Sequence, residues 1–482
     1  MLHQSCVAPE ARVRAWSIRA ASILALGAAT PAQAASLDGA QLGLLWAIPF
    51  AGMLLSIALL PLVALRLWHH HFGKITLGWA LLALLPLAGA YGAGTAAELA
   101  LHTLIGEYIP FIIFIGTLYI VAGGIYLRGN LHGTPALNTG LLAIGALLAS
   151  VMGTTGAAML LIRPLIRAND NRKRRVHTIV FFIFIVANIG GSLTPLGDPP
   201  LFLGFLKGVS FGWTLTHMAA PMAFALAILL PLYYVIDSVL YKRDVADGLT
   251  RDPTPDAPLR IEGGINFLLL ALVVGGVLMS GVWKPGVDLN LLGQTVPLQG
   301  LVRDVLFIGI AGLSMAITAK ATRQANEFGW APIAEVAKIF FGIFITMAPV
   351  LLMLKAGEAG AFSAVARALA GEGGNPNNAM YFWLTGALSS FLDNAPTYLV
   401  FFNLAGGDPQ QLMTAMAPTL TAISAGAVFM GANSYIGNAP NFMVKAIAED
   451  RGIAMPSFFG YMAWSGAILI PIFIAMTFVF FR

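Results

Sequence analysis

Asn188-Ile-Gly-Gly-Ser-Leu-Thr-Pro-Leu-Gly-Asp-Pro-Pro-Leu-Phe-Leu203 cuts into one long apolar run, and Gly431-Ala-Asn-Ser-Tyr-Ile-Gly-Asn-Ala-Pro-Asn-Phe-Met443 cuts into another. Both place Gly, Pro and hydrogen-bonding side chains where a bilayer core would forbid them. An unpaired backbone group costs several kcal/mol in lipid, so such a break survives only inside protein or beside a wet cavity. Two breaks at matching places in two halves of a chain point to the binding site of a secondary transporter.

Working outward, the surrounding chain is 58% hydrophobic and only 10% charged over 482 residues. That excludes a soluble domain, and the continuous runs exclude the alternating pattern of a membrane β-barrel. The expected class is an all-α polytopic membrane protein whose main partner is the lipid bilayer. A net charge of +5 fits anchoring of loops at a membrane face and gives no reason to expect nucleic acid. The single cysteine, Cys6, falls in a leader-like segment. In that segment, residues 1–34, Arg12, Arg14 and Arg19 precede the apolar Ala20–Ala29 and an Ala32-Gln-Ala34 cleavage pattern. This predicts a signal peptide, a periplasmic mature N-terminus and the inner membrane of a bacterium.

Apolar runs predict crossings at about 44–65, 75–92, 108–127, 176–193, 220–240, 265–283, 304–319, 333–355, 412–432 and 461–481. Two more, 138–162 and 380–405, have polar or Gly- and Pro-bearing middles and predict re-entrant hairpins. Basic residues cluster in alternate connections: Arg66 and Lys74, Arg128, Arg163 through Arg175, Lys242 to Arg260, Lys320 and Arg323, Lys445 and Arg451. These should face the cytoplasm. The Arg163–Arg175 cluster lands there only if 138–162 does not cross. The Pro-rich linker 242–264 then separates a first repeat, 35–241, from a second, 265–482. The first holds hairpin 138–162 and broken helix 176–203; the second holds hairpin 380–405 and broken helix 412–443. Five crossings in each half make the repeats inverted. Ser150 and Ser390, and Gly197 and Gly437, share one offset.

Asp198 precedes Pro199 and Pro200, which cannot donate backbone hydrogen bonds, so the helix must stop there. Freed carbonyls with the oxygens of Ser192, Thr194 and Asp198 would form a cage for a hard cation. Asp393 and Asn394 mark the second hairpin tip; Gly153, Thr154 and Thr155 mark the first. Asn433, Ser434, Asn438 and Asn441 line the second break and could ligate a cation or bind a carboxylate. Burial favours the protonated form of an acid, so two such acids could trade H⁺ for Na⁺. The lesser alternative is that Asp393 serves only as a helix cap. His69-His-His71 is read as a solvated interface loop. No Walker A or His-Glu-x-x-His pattern is present, and no enzyme is expected.

At Thr194-Pro-Leu-Gly-Asp-Pro-Pro200, Gly437-Asn-Ala-Pro-Asn441 and the two hairpin tips, the chain resembles the ion-transporter superfamily: NhaD-type sodium/proton antiporters, citrate and dicarboxylate carriers, and the membrane subunit of arsenite pumps. The resemblance implies inverted repeats, a homodimer and elevator-like transport domains. It implies one cation site at Thr154, Thr155, Gly197 and Asp198, and another at Asp393, Asn394, Gly437 and Asn438. No cofactor is implied beyond Na⁺ and H⁺ as transported or coupling ions. Carboxylate carriers typically show Ser-Asn-Thr at both tips; here the tips are Gly153-Thr-Thr155 and Asp393-Asn-Ala395. That departure tilts the expectation to Na⁺/H⁺ antiport, with Na⁺ at Asp198, Thr154, Asp393, Asn394 and Asn438. A coupled citrate or other carboxylate carrier is the alternative, and a channel-like subunit needing a partner ATPase is the reading from another class.

Overall fold

The computed structural model describes residues 37–249, 257–258, 260–371 and 375–482. The expected signal peptide, Cys6 and residues 250–256 of the linker lie outside them. Nine helical stretches among the described residues are long and apolar enough to cross a membrane. Strands among them are confined to two small antiparallel pairs: β1 (Tyr126–Arg128) with β2 (Arg260–Glu262), and β3 (Asp288–Leu291) with β4 (Gln294–Pro297). The chain is an all-α polytopic membrane protein, as its composition requires.

The first half opens with α1 (Ile48–Val63) and α2 (Leu65–Tyr91), parted only by Ala64 at φ −144°, ψ 54°. The sequence expectation of a loop at 66–74 is corrected: these residues are helical. His69, His70 and His71 stand on α2, with His70 Nδ1 2.9 Å from the Arg66 carbonyl oxygen. A second connection expected as loop, 93–107, is also helical. α3 (Ala93–Thr103) runs through a π-turn at Leu104–Tyr108 into α4 (Ile109–Ala122). Ala93, Ala96, Ala97 and Ala100 are strong helix formers, and the helix is stopped at its start by Gly92, at φ +93°.

Next come α5 (Pro135–Met152) and α6 (Thr154–Ala168), joined by Gly153 alone. Asn138 near the start of α5 and Asn169 just past α6 exchange two amide hydrogen bonds, 2.9 and 3.0 Å. The two ends therefore meet, and the pair forms a hairpin. α7 (Val176–Ile185), a short turn at Ile189–Ser192 and α8 (Pro199–Leu206) form the first broken segment, and α9 (Phe211–Ala246) follows.

The second half contains α10 (Ile265–Val282), α11 (Leu298–Ile317), α12 (Lys320–Ala325), α13 (Ala331–Lys355) and the short α14 (Ser363–Leu369). Its hairpin is α15 (Asn378–Phe391) with α16 (Asn394–Leu404). After α17 (Pro409–Met413), the second broken segment is α18 (Ala417–Met430), a turn at Gly431–Asn433 and α19 (Ala439–Asp450); α20 (Phe458–Phe480) ends the fold. The hairpins and broken segments form the buried interior. The ring of Phe114 on α4 stacks on Phe202 of α8 with centroids 3.6 Å apart. On α18, a Cβ at Gly426 would meet the Phe382 carbonyl oxygen at 2.6 Å, so α15 and α18 approach through backbone.

Many of the basic residues grouped by sequence meet at one end of the bundle. Arg167 donates to the Leu127 carbonyl, Arg128 pairs with Glu262 at 3.1 Å, and Arg163 and Arg451 both pair with Glu327. The base of the first hairpin is stapled there by fully buried charges. Asp237 on α9 accepts from Arg172 at 2.5 Å, from Asn138 at 3.1 Å, and lies 2.8 Å from His177 Nε2. Removing one partner of a buried pair costs about 3–5 kcal/mol, whereas an exposed pair is worth about 0–1 kcal/mol. Asp237→Asn is therefore expected to lower the melting temperature of the purified protein clearly. Glu262→Gln, at the solvent-exposed Arg128 pair, should leave it unchanged.

Candidate functional site

Each hairpin tip is bound to the neighbouring break by the same set of hydrogen bonds. In the first half, Ser150 Oγ donates to the Gly190 carbonyl at 2.5 Å and accepts from the Leu193 N–H at 3.1 Å. Thr194 Oγ1 donates to the Ser150 carbonyl at 2.5 Å and accepts from the Leu196 N–H at 3.1 Å. In the second half, the Ser390 hydroxyl shares its proton between the Met430 carbonyl at 3.1 Å and the Gly386 carbonyl at 2.7 Å, and it accepts from Asn433 Nδ2 at 2.9 Å. Ser434 Oγ donates to the Ser390 carbonyl and accepts from the Ile436 N–H at 3.2 Å. Every partner in the second set is the first plus 240, the separation also of Asp198 and Asn438. Two things differ: the Asn433 side chain replaces the backbone N–H of Leu193, and Ser390 also reaches the Gly386 carbonyl of its own helix.

The helix starts beyond the breaks follow from local chemistry. Asp198 at φ −134°, ψ 142° and Asn438 at φ −154°, ψ 138° are extended, and each is followed by a helix with Pro at its first or second residue. Proline is tolerated there because that N–H has no helical partner. Gly197 is required by close approach: a Cβ would lie 2.9 Å from Gly191 Cα and nearer still to its carbonyl. Gly437 likewise packs on backbone, with a Cβ there falling 2.5 Å from the Gly431 carbonyl oxygen and 2.6 Å from that of Ser389. Gly153 sits at φ +83°, which lets α6 start directly after α5.

These elements converge on Asp198, which is 1% exposed. Its Oδ1 accepts from Thr154 Oγ1 at 3.0 Å and from Asn438 Nδ2 at 3.1 Å, and its Oδ2 accepts from Asn394 Nδ2. Thr154 belongs to the first hairpin, Asn394 to the second hairpin and Asn438 to the second break. All three donors are neutral. Thr154 and Asn394 open α6 and α16, while Asp198 and Asn438 cap α8 and α19, so four helix N-termini surround one carboxylate. Their positive ends offset its charge where no cationic side chain among the described residues does so.

On the hairpin tip and the two breaks, three buried side-chain oxygens have no partner among the described residues: Ser192 Oγ, Asn394 Oδ1 and Asn433 Oδ1. Hydroxyl and amide oxygens left without a hydrogen bond in a buried site are available to a hard cation or a water. The remaining expected residues are placed as follows. The Gly197 carbonyl accepts from the Thr154 N–H at 2.8 Å. Thr194 and Ser434 act as the ties just described. Thr155 is half-buried beside the tip and outside the hydrogen-bonded cluster. Asp393 is half-buried and caps α16, accepting from the Ala395 N–H at 3.1 Å; it lies one residue from Asn394 and is not among the hydrogen-bond partners of Asp198.

Asn188 was not singled out by sequence as a site residue, and it is central. Its Nδ2 donates to Asn441 Oδ1 at 2.7 Å, and its Oδ1 accepts from Asn438 Nδ2 at 3.2 Å. Asn441 in turn donates to the Gly431 and Ser434 carbonyls, both at 2.9 Å. The signal was a lone amide closing the apolar run Val176–Ala187.

Interrupted helices around a buried acid, in a bundle of long apolar spans, belong to a multi-pass membrane transporter. The chain is a member of the family described as "Putative citrate transport", which matches residues 39–481. Among curated individual proteins, none matches it.

Proposed function

We propose that this protein is a secondary active transporter that exchanges cytoplasmic Na⁺ for external H⁺, with Asp198 as the group on which the two compete. The observation that carries this reading is a buried carboxylate held by three neutral donors from both hairpins and the opposite break. An intramembrane acid without a cationic partner is suited to hold either a proton or a metal cation, and it marks an ion pathway. Release of the proton to water leaves the anion that binds Na⁺; Asn394, already in contact with Asp198, carries an unpartnered neutral oxygen, and Ser192 and Asn433 carry two more on the breaks. Asp393 would contribute charge at the tip while capping α16.

The repeated hydrogen bonds support two inverted repeats divided at the 242–264 linker, and hairpins that enter and leave on the cytoplasmic or the external face. Elevator-like movement, a homodimer and the bacterial inner membrane complete the proposal.

The family description and the four converging helix starts favour a second reading, coupled transport of citrate or a related carboxylate, since such helix ends also attract anions. Reconstituted proteoliposomes separate the two. Under an imposed pH gradient, Na⁺ or Li⁺ should collapse the gradient, while labelled citrate should not accumulate. Citrate accumulation with no cation-driven proton movement would replace the first reading by the second.

A further inference from the structure

The helices that carry Thr154 and Asn438 are gripped at a distance from the site by a single side chain. Glu327 lies between α12 and α13. Its Oε2 pairs with Arg163 Nη2 of α6 at 2.7 Å, and its Oε1 pairs with Arg451 Nη2, just past α19, at 2.8 Å. Arg163 also donates to the Asn326 carbonyl at 3.3 Å. α6 begins at Thr154 and α19 follows Asn438, so both gripped helices start at the Asp198 cluster.

The gripping loop is anchored elsewhere. Asn326 donates to the Gly123 and Ile125 carbonyls at 3.2 and 3.1 Å, and Arg323 donates to the Ile120 carbonyl at 2.9 Å. Glu327 therefore joins the two site-bearing helices to a frame made by α4 and α12. It does so at φ +50°, in the left-handed region that side-chain-bearing residues seldom adopt. A strained residue at this point is held by its surroundings, as at clamps and switches. Burial pushes its pKa up, but the Arg163 and Arg451 pairs outweigh this and leave it below the ordinary glutamate value.

We propose that Glu327 is a positioning residue whose two arginine pairs hold α6 and α19 closed around the Asp198 cluster, and whose release opens that cluster to water. This rests on the cluster being the transport site, and not on which ion crosses.

The test uses the full chain, purified in detergent, with Cys6→Ser and a reporter Ser192→Cys. Ser192 is fully buried at the first break and its hydroxyl is unpartnered. The rate of reaction with a water-soluble maleimide reports opening. Adding Glu327→Gln should raise that rate about fivefold, the factor expected for a partly exposed ion pair. Arg451→Gln, which removes the half-exposed arm of the grip, should give a smaller rise in the same direction, and Glu327→Asp should stay near the parent. A second reporter, Ser280→Cys on α10, should keep its rate. Unchanged labelling of Ser192→Cys in both the Glu327→Gln and Arg451→Gln proteins would overturn the proposal. Equal acceleration at both reporters would also overturn it, because that is general loosening. The readout needs no transport, so it stands apart from the cargo assay.

Discussion

Asp198→Asn is expected to reduce cation-driven proton movement in proteoliposomes to about one hundredth of wild type or less. The side chain keeps its shape but loses both the negative charge and the ionisable proton. On the proposed mechanism Asp198 and the bound Na⁺ form a buried charge pair; removing one partner of such a pair costs about 3–5 kcal/mol, and each 1.4 kcal/mol is tenfold in binding. The fold should survive, because no cationic side chain depends on Asp198: its partners are Thr154, Asn394 and Asn438. Melting temperature and detergent elution are the control. Full exchange in the variant, measured with the same protein density in the membrane, would remove Asp198 from the mechanism.

Gly197→Ala should have the largest effect on the structure. The added methyl would press on the Gly191 backbone, which has no flexible side chain to give way. Overpacking of this kind costs about 1–3 kcal/mol and sometimes more, and the upper end is expected where backbone meets backbone. The damage is also local to function. The Gly197 carbonyl receives the Thr154 N–H, and Asp198 is the next residue. Transport and melting temperature should fall together. Gly140→Ala, on α5 with open space around it, is the comparison, and it should be neutral or slightly stabilising as Gly-to-Ala changes within helices are. A Gly197→Ala protein with wild-type transport would mean the two strands of the break are not packed as described.

The features legible in sequence were those whose cause is local. Prolines after Asp198 and Asn438 fit the first turn of a new helix, where no N–H is needed, and Gly153 allows a one-residue junction. The common offset of the two halves was readable because the same short motifs recur. Helix boundaries near Tyr91 and Arg66 were misread because polar and glycine residues at a membrane surface resemble loop, although the intervening alanines and leucines favour helix. The pairing of Asn188 with Asn441 was not readable, since nothing near either residue announces a partner 253 positions away. The same holds for Glu327 with Arg163 and Arg451. Asp393 illustrates a different limit: an aspartate before a helix is the same in sequence whether it caps or binds an ion, and its cap is what the geometry displays.

Asp198 and Asn438 occupy equivalent places in the two halves and touch one another directly. A chain with two identical halves would bring like residues face to face here. Two aspartates would repel until one took up a proton, and two asparagines would leave no charge at all. Divergence at this pair puts one acid, in place of two or none, at the contact between the two breaks, so on the proposed repeats the buried carboxylate stands at a position where the copies differ.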